Sequence, residues 1–552
     1  MKIATQLEDP SESPYSSSRE RAMLLLATCK RVGRNFSASR GDRLIVDWLL
    51  NYAGVFCPAL TSLALIPIML HGLGEQAYGL WITAATIAPL FGSLDLGIGS
   101  AVAREVGVAR SAGITADTQG FIRSSANLAI LLAVASTVIL TVAAVPLSVS
   151  LLLTPELRAI APAVFFLAGV TFAGNWLFDF ARGVLVGMAR FEVVGSLKLC
   201  GALLRLVSVI FVLHFSTSLI LLAACWAICQ LLLAVLSLCI VGIIEPLYSF
   251  RLRLPRWHSL APHMSFSLAS LLCNSFYNLL SQIPVLAVPF LRGSAALIPY
   301  YVGQKFPIAA LAFTHCGGDV LYAVSSASST SKDCERDTRI LRSAMRWNCL
   351  VMLPVLIGFA VFAPVLFRIW MGHVPESAVG VARLVTFAVF LESLCVPVIY
   401  YLWGSGLVRQ MLPAFVMGVT AGTLASLLLV RSYGVIGAAA GLLFGIATMA
   451  MVLVRVISRF SDLPLFSFAV DLRGFIAPGI LCGATSFISL QCATPSGWIS
   501  LLALAFPSAL VFLVAFFIMG ATEVERKKVS SVLPSFFKQT EALVLEAHEH
   551  AD

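Results

Sequence analysis

Residues 44–70 read LIVDWLLNYAGVFCPALTSLALIPIML, with Asp47 the only charge in the run. An α-helix rises 1.5 Å per residue, so about 20 apolar residues cross the hydrocarbon of a bilayer. The stretch reads as a membrane helix, and the chain repeats the pattern: residues 122–153 carry only Arg123, at their start. Across 552 residues, 59% are hydrophobic and 12% charged, against about 25% charged in an average soluble domain. A soluble fold has too little interior for so many such runs. The expected fold class is an all-α polytopic membrane protein.

Glycines, prolines and charge clusters divide the chain into fourteen spans: 44–69, 78–103, 121–150, 158–180, 192–213, 217–243, 259–290, 298–327, 341–368, 377–403, 410–430, 434–457, 473–491 and 497–520. Lysine and arginine concentrate in cytoplasmic loops, which tests the count. With both termini inside, 30 of the 37 basic residues fall on the cytoplasmic side and five outside, while Arg205 and Lys305 lie within spans. A miscounted helix would scramble that alternation. The net charge of +9 thus reflects orientation and calls for no nucleic-acid partner. Residues 1–43 and 522–552 read as cytoplasmic tails. The apolar core of SSSRERAMLLLATCK is about six residues, short for a signal peptide.

The outer connections are brief (HGLGEQA, TPE, HFSTS, RGSAA, MGHVPES, RSY, ATPSG) and leave no room for an external catalytic domain. The thirteen cysteines are scattered, and the pair in CWAIC has no His, Asp or Glu beside it, so they read as packing residues. No cofactor or metal site is expected. No Gly-Lys dipeptide occurs, which excludes a Walker A loop and an ATP-driven pump. The halves echo each other: Gly293, Tyr300, Gly406 and Arg409 each lie 219 positions beyond Gly74, Trp81, Gly187 and Arg190. Residues 44–245 and 259–460 therefore read as two parallel six-helix bundles joined by a linker at 246–258, with two added helices in 461–521.

LGEQAYGLW (73–81) followed by LDLGIGSAVARE (94–105) resembles the second-helix signature of polysaccharide flippases in the MOP exporter superfamily. That superfamily includes O-antigen and exopolysaccharide flippases, the lipid II flippase and the multidrug MATE exporters. The turn Gly187–x–x–Arg190, FRIWMG (367–372) and YGVIGAAAG (433–441) are further matches, and the resemblance covers 44–520. It implies two bundles forming a V around a cavity that opens alternately to each side. It also implies the movement of undecaprenyl-diphosphate-linked oligosaccharide across the bacterial cytoplasmic membrane for O-antigen, capsule or exopolysaccharide synthesis. The implied partners are that lipid-linked oligosaccharide, membrane lipid, a polysaccharide polymerase and a chain-length regulator. In the lipid II flippase, the last two helices form a lipid-tail groove, and 473–520 occupy the matching place.

An ionised group in hydrocarbon costs several kcal/mol, so charges within spans mark function or internal pairing. Arg205 and Lys305 are candidates for the diphosphate, with pairing to a carboxylate the competing role; Gln304 neighbours Lys305. In helix 7, Asn274, Asn278 and Ser281 share a face suited to sugar hydroxyls or to a neighbouring helix. Asp179 is a further gate or ion-coupling candidate, with a local ion pair to Arg182, three residues on, the competing role. Glu392, in FLESLCVP, is a candidate ion-coupling carboxylate, or else a partner for Lys305 or Arg205. SLDLGIGSAVARE fails as a phosphate loop because Val102 stands at the third glycine position. Its glycines suit helix packing and bending, leaving Asp95 and Arg104 as gate candidates. A MATE-type cation antiporter would share the fold but favour an acidic cavity, and a polymerase or ligase would need a large outer loop.

Overall fold

The computed structural model describes residues 40–92, 98–112, 115–151, 153–188, 190–244, 264–328, 334–372, 376–460, 472–523 and 525–526. They are almost entirely helical. The first group comprises α1 (Arg40–Leu73), α2 (Glu75–Gly92), α3 (Ile98–Ala112), α4 (Ala116–Ser150), α5 (Pro155–Gly187), α6 (Phe191–Phe215) and α7 (Leu219–Ile244). The second comprises α8 (Met264–Arg292), α9 (Leu297–Ser328), α10 (Cys334–Met371), α11 (Glu376–Gly404) and α12 (Val408–Phe460), followed by α13 (Ile476–Cys492) and α14 (Trp498–Ala515). Eleven of these helices are long and apolar enough to cross a membrane. Helices suit this solvent because each satisfies its own backbone hydrogen bonds where no water can. Large apolar side chains such as Val142, Leu428 and Phe506 remain exposed on the exterior, as lipid contact requires.

Three expected spans take other forms. The second is divided into α2 and α3, with SLDLG (93–97) between them outside the described residues. The eleventh and twelfth run together as α12, but Gly434 adopts φ 60°, ψ −136° and breaks the helix there. Close approaches pair Gly437 with Leu429, Gly441 with Ser426 and Gly445 with Gly422. The helix therefore doubles back on itself, and α12 is a hairpin of two spans.

The two groups follow one packing plan. In the amino-terminal lobe α1 packs on α6, and α5 packs on α2, α3, α4 and α7. In the carboxyl-terminal lobe α8 packs on α12, and α11 packs on α9, α10 and α12. Gly74 (φ 79°) and Gly293 (φ 90°) make the same left-handed turn after the first helix of each lobe. Small residues allow the tightest crossings: a Cβ on Gly183 would stand 2.5 Å from Gly99 O, and one on Gly187 2.6 Å from Ala103 O. The glycine of the α3 segment is thus a packing contact against α5.

The lobes meet chiefly at the end where α1 turns into α2, here the distal end. A Cβ on Gly79 would stand 2.1 Å from Ser294 O, the Tyr78 and Tyr301 rings meet edge-on at 6.3 Å, and Trp370 Nε1 donates to Leu63 O at 3.0 Å. Nearer the middle, Phe56 of α1 meets Phe313 of α9 at 5.4 Å.

Helices α13 and α14 attach to α10. Arg346 Nε and Nη2 donate to Glu525 Oε1 and Oε2 at 2.7 and 2.9 Å, and Nη2 also donates to Gly520 O at 2.8 Å. The guanidinium lies over Phe475 and Phe516, which stack on each other at 4.7 Å. Burial pushes the Glu525 carboxyl up, but the hydrogen bonds from Arg346 and Thr522 outweigh it and hold the group below the usual carboxylate range.

Candidate functional site

A cavity of about 250 Å³ opens in the distal half of the amino-terminal lobe. Its wall comes from α1 (Thr61, Ser62), α2 (Tyr78, Trp81), α5 (Thr171, Asn175), α6 (Arg205) and α7 (Trp226), and Tyr301 of α9 reaches in from the other lobe. The lining combines aromatic faces with hydroxyl and amide groups, a surface suited to a polar ring-shaped ligand.

Among the described residues of the wall, Arg205 is the charged one. Nη2 donates to Gln230 Oε1 at 2.5 Å, and the guanidinium stands 5.8 Å over the Trp226 ring. Trp226 in turn meets Trp81 edge-on at 5.3 Å. Gln230 is buried, and Gly174 of α5 makes room for it: a Cβ there would stand 3.0 Å from Gln230 Cγ. Helix α7 therefore presents a neutral acceptor that orients the guanidinium and leaves its charge uncancelled.

Lys305 borders the same region indirectly, its Nζ 3.9 Å from the centroid of the Tyr301 ring that lines the cavity. A cation over a tyrosine face is stabilised by the ring quadrupole without being neutralised. Among the described residues, the ion pairs are Arg182–Asp179, Arg190–Glu192 and Arg346–Glu525, so neither Arg205 nor Lys305 is held by a carboxylate. Two cations without a carboxylate partner among the described residues are what an anionic ligand would need.

The other sequence candidates are scattered. Gln304 is 5% exposed, its Oε1 lacks a hydrogen-bond partner, and it does not line the cavity. Asn274 and Asn278 are exposed on α8, about a quarter-turn from the buried Cys273 face. Asp179 accepts from Arg182 Nε at 3.0 Å, a half-exposed local pair, and it lies beside Gly99 at the α3–α5 crossing. Arg104 belongs to α3, but its side chain is outside the described residues, as is the whole of Asp95. Glu392 is buried in the carboxyl-terminal lobe and accepts a hydrogen bond from the Tyr277 hydroxyl, pairing with neither Arg205 nor Lys305.

Sequence reasoning passes over Trp81, Trp226 and Gln230, and also His315, which lies in the carboxyl-terminal lobe with Tyr400. Two of these carry a legible signal. Gln230 is the lone amide of an apolar span, and His315 a titratable group in the middle of another.

The fold resembles those of solved structures from the MOP superfamily. The chain resembles the lipid II flippase MurJ in an inward closed conformation, with a TM-score of 0.63 and 12% identity over 86% of this chain and 97% of that one. It resembles an inward-facing MATE family multidrug resistance transporter of the MOP superfamily, with a TM-score of 0.59 and 17% identity over 76% and 99%. A third likeness is to a MOP superfamily transporter from Pyrococcus furiosus described as having a binding pocket of reverse polarity, with a TM-score of 0.56 and 17% identity over 77% and 96%. No protein-family model and no curated protein sequence matches the chain.

Proposed function

We propose that the protein is a flippase that carries undecaprenyl-diphosphate-linked oligosaccharide repeat units across the bacterial cytoplasmic membrane by alternating access, supplying O-antigen, capsule or exopolysaccharide synthesis. The observation that carries this reading is Arg205, a cation in the cavity wall whose partners are an amide and an indole ring. A guanidinium so placed attracts phosphate or carboxylate, while the surrounding hydroxyl, amide and aromatic groups suit sugar rings. If the arginine-rich end faces the cytoplasm, the contacts at the distal end close the outer side. The described state then awaits substrate from within. Helices α13 and α14 are, on this reading, the wall along which the lipid tail lies. A polysaccharide polymerase and a chain-length regulator would act on the delivered units.

A MATE-type exporter has the same fold, but an unpaired arginine in the cavity would repel the cationic compounds it must bind. The test is genetic and chemical. Deleting the gene should leave lipid-linked repeat units in the inner leaflet while surface polysaccharide disappears. Export of cationic dyes by purified protein that ignores lipid-linked sugars would reverse the assignment.

A further inference from the structure

The carboxyl-terminal lobe holds a second cavity, of about 380 Å³, between α9 (Thr314, Gly317), α10 (Trp347, Asn348, Val351) and α11 (Pro397). Among its described residues none is charged, and the side chains are apolar apart from Thr314, Asn348 and the Trp347 indole. Phe313, Trp347 and Val351 line it and are also exposed at the surface. In a membrane-spanning lobe an exposed apolar rim of this kind meets lipid. Helices α13 and α14 lie on another face of α10, where Leu353 and Ile357 meet Gly479 and Gly483.

One polar group in the wall is unsatisfied. A threonine within a helix ordinarily donates to the carbonyl one turn back, as Thr386 does to Ala382 O at 2.6 Å. Thr314 is 5% exposed, and its hydroxyl has no hydrogen-bond partner among the described residues. The amide of Asn348 is already engaged. Pro397 has no N–H for Ser393 O, four residues back, and Asn348 Nδ2 donates there instead at 2.6 Å. An unpaired buried hydroxyl is costly, and an acceptor carried in by a ligand removes that cost.

The depth of the cavity says which acceptor is at hand. Arg346, beside Trp347, donates to Gly520 O, where the span Trp498–Gly520 ends. Trp347 therefore stands at a membrane boundary, the level that tryptophan favours. Thr314 lies seventeen residues beyond the start of α9 at Leu297. That is about 25 Å along the axis, within about one turn of the same boundary for a hydrocarbon core of about 30 Å. The ester carbonyls of a phospholipid join its acyl chains at this level.

We propose that the cavity binds one acyl chain of a bilayer glycerophospholipid, with Thr314 donating to the ester carbonyl and the headgroup left outside in the interface. The uncharged wall gives a phosphate no counterion, and the apolar wall suits a chain. A polyisoprenyl diphosphate fits less well, because it carries no carbonyl at that level. Phe313 also meets Phe56 of α1 at 5.4 Å, so the bound chain braces α9 at its contact with the opposite lobe. The site is independent of which substrate the protein carries.

The test uses the full chain in detergent and a phosphatidylethanolamine bearing a diazirine on one acyl chain, with cross-links mapped by mass spectrometry. Label should fall on α9 and α10 around Thr314 and Trp347, and plain phosphatidylethanolamine should compete for it. A Cβ on Gly317 meets nothing within 4 Å, so Gly317→Leu should fill the cavity and cut labelling about tenfold while the protein still folds. Thr314→Val keeps the shape without the hydroxyl and should cut labelling roughly threefold. It should also raise the melting temperature of lipid-stripped protein, a gain that disappears when phospholipid is restored. Phe56→Ala lies outside the wall and should keep the labelling while losing part of the thermal stabilisation that phospholipid confers. Unchanged labelling in both Gly317→Leu and Thr314→Val would overturn the site. Stronger competition by undecaprenyl phosphate than by phospholipid would overturn the choice of occupant, and full stabilisation of Phe56→Ala by phospholipid would overturn the bracing.

Discussion

In the amino-terminal lobe, Arg205 on α6 points into a cavity walled by Trp81, Trp226 and Tyr78; at the matching position of the carboxyl-terminal lobe stands Leu424, 58% exposed on the outer wall. The carboxyl-terminal lobe in turn buries Glu392, where the amino-terminal lobe has Ala173. The turns on either side of these helices keep the same spacing, so the differences are substitutions on a shared frame. One lobe has a cation next to a polar, aromatic cavity. The other has an acid sealed among tyrosines and a histidine. The departures from the shared frame place opposite charges in the two lobes, a guanidinium beside a cavity in one and a buried carboxyl group in the other.

Making the lobes alike at Arg205 should have the largest effect. Arg205→Leu removes the charge and leaves the buried Gln230 without its donor. A charge-assisted hydrogen bond is worth about 1.5–3 kcal/mol, so transport of an anionic lipid-linked sugar should fall roughly 10- to 100-fold while the protein still inserts. Arg205→Lys should recover part of it, because the point charge survives and the planar fork does not. Lys305→Gln should cost less, about threefold, since Lys305 meets the cavity only through Tyr301 and the weaker cation–π contacts are worth about 0.5–1 kcal/mol. The measurement is surface polysaccharide in a complemented deletion strain, normalised to protein in the membrane. Normal transport by Arg205→Leu would remove the cation from any account of the cavity.

The fold is more legible in the sequence than the site is. Apolar run length and the uneven distribution of Lys and Arg count spans because the bilayer imposes both. The 219-residue echo from Gly74 to Gly293 is visible because a left-handed turn demands glycine in each lobe. The site depends on pairings between distant helices, which no periodicity encodes. Arg205 stands out as a charge in a span, but its partner Gln230 lies 25 residues away on a separate helix. Glu392 stands out for the same reason, and its neighbours Tyr277, His315 and Tyr400 come from α8, α9 and a later turn of α11. The hairpin at Gly434 is legible from RSY and YGVIG.

A middle-sized effect tests the helices that belong to neither lobe. The Arg346–Glu525 pair is 11% and 12% exposed, and removing one partner of so enclosed a pair costs about 3 kcal/mol. Arg346→Ala should therefore release the ends of α13 and α14 nearest Phe475 and Phe516 and lower the melting temperature in detergent. The pH dependence has a definite sign. Because the folded protein holds the Glu525 carboxyl below its ordinary value, its contribution is fully present above that value. It is lost as the pH falls through the folded one. Wild-type protein should lose stability on acidification where Arg346→Ala, already without the pair, loses less. Parallel acid profiles in the two proteins would show that the pair does not anchor α13 and α14.

The smallest effect sharpens the comparison of the lobes themselves. Gly74 and Gly293 make the same turn, and alanine at a left-handed position costs about 1 kcal/mol. Around Gly74 a new Cβ meets nothing within 4 Å, so Gly74→Ala should show that backbone cost alone. Gly293 precedes Ser294, whose carbonyl lies against Gly79 of the opposite lobe, and any shift of its turn is felt across the distal contact. Gly293→Ala should therefore cost more than Gly74→Ala in thermal unfolding, and the excess should disappear when the distal contact is absent. Gly79→Leu supplies that background, since its side chain cannot fit beneath Ser294. Equal costs for the two alanines in the wild-type background would mean that the turns are equivalent in energy as well as in shape. The distal contact would then rest on Tyr78, Tyr301 and Trp370.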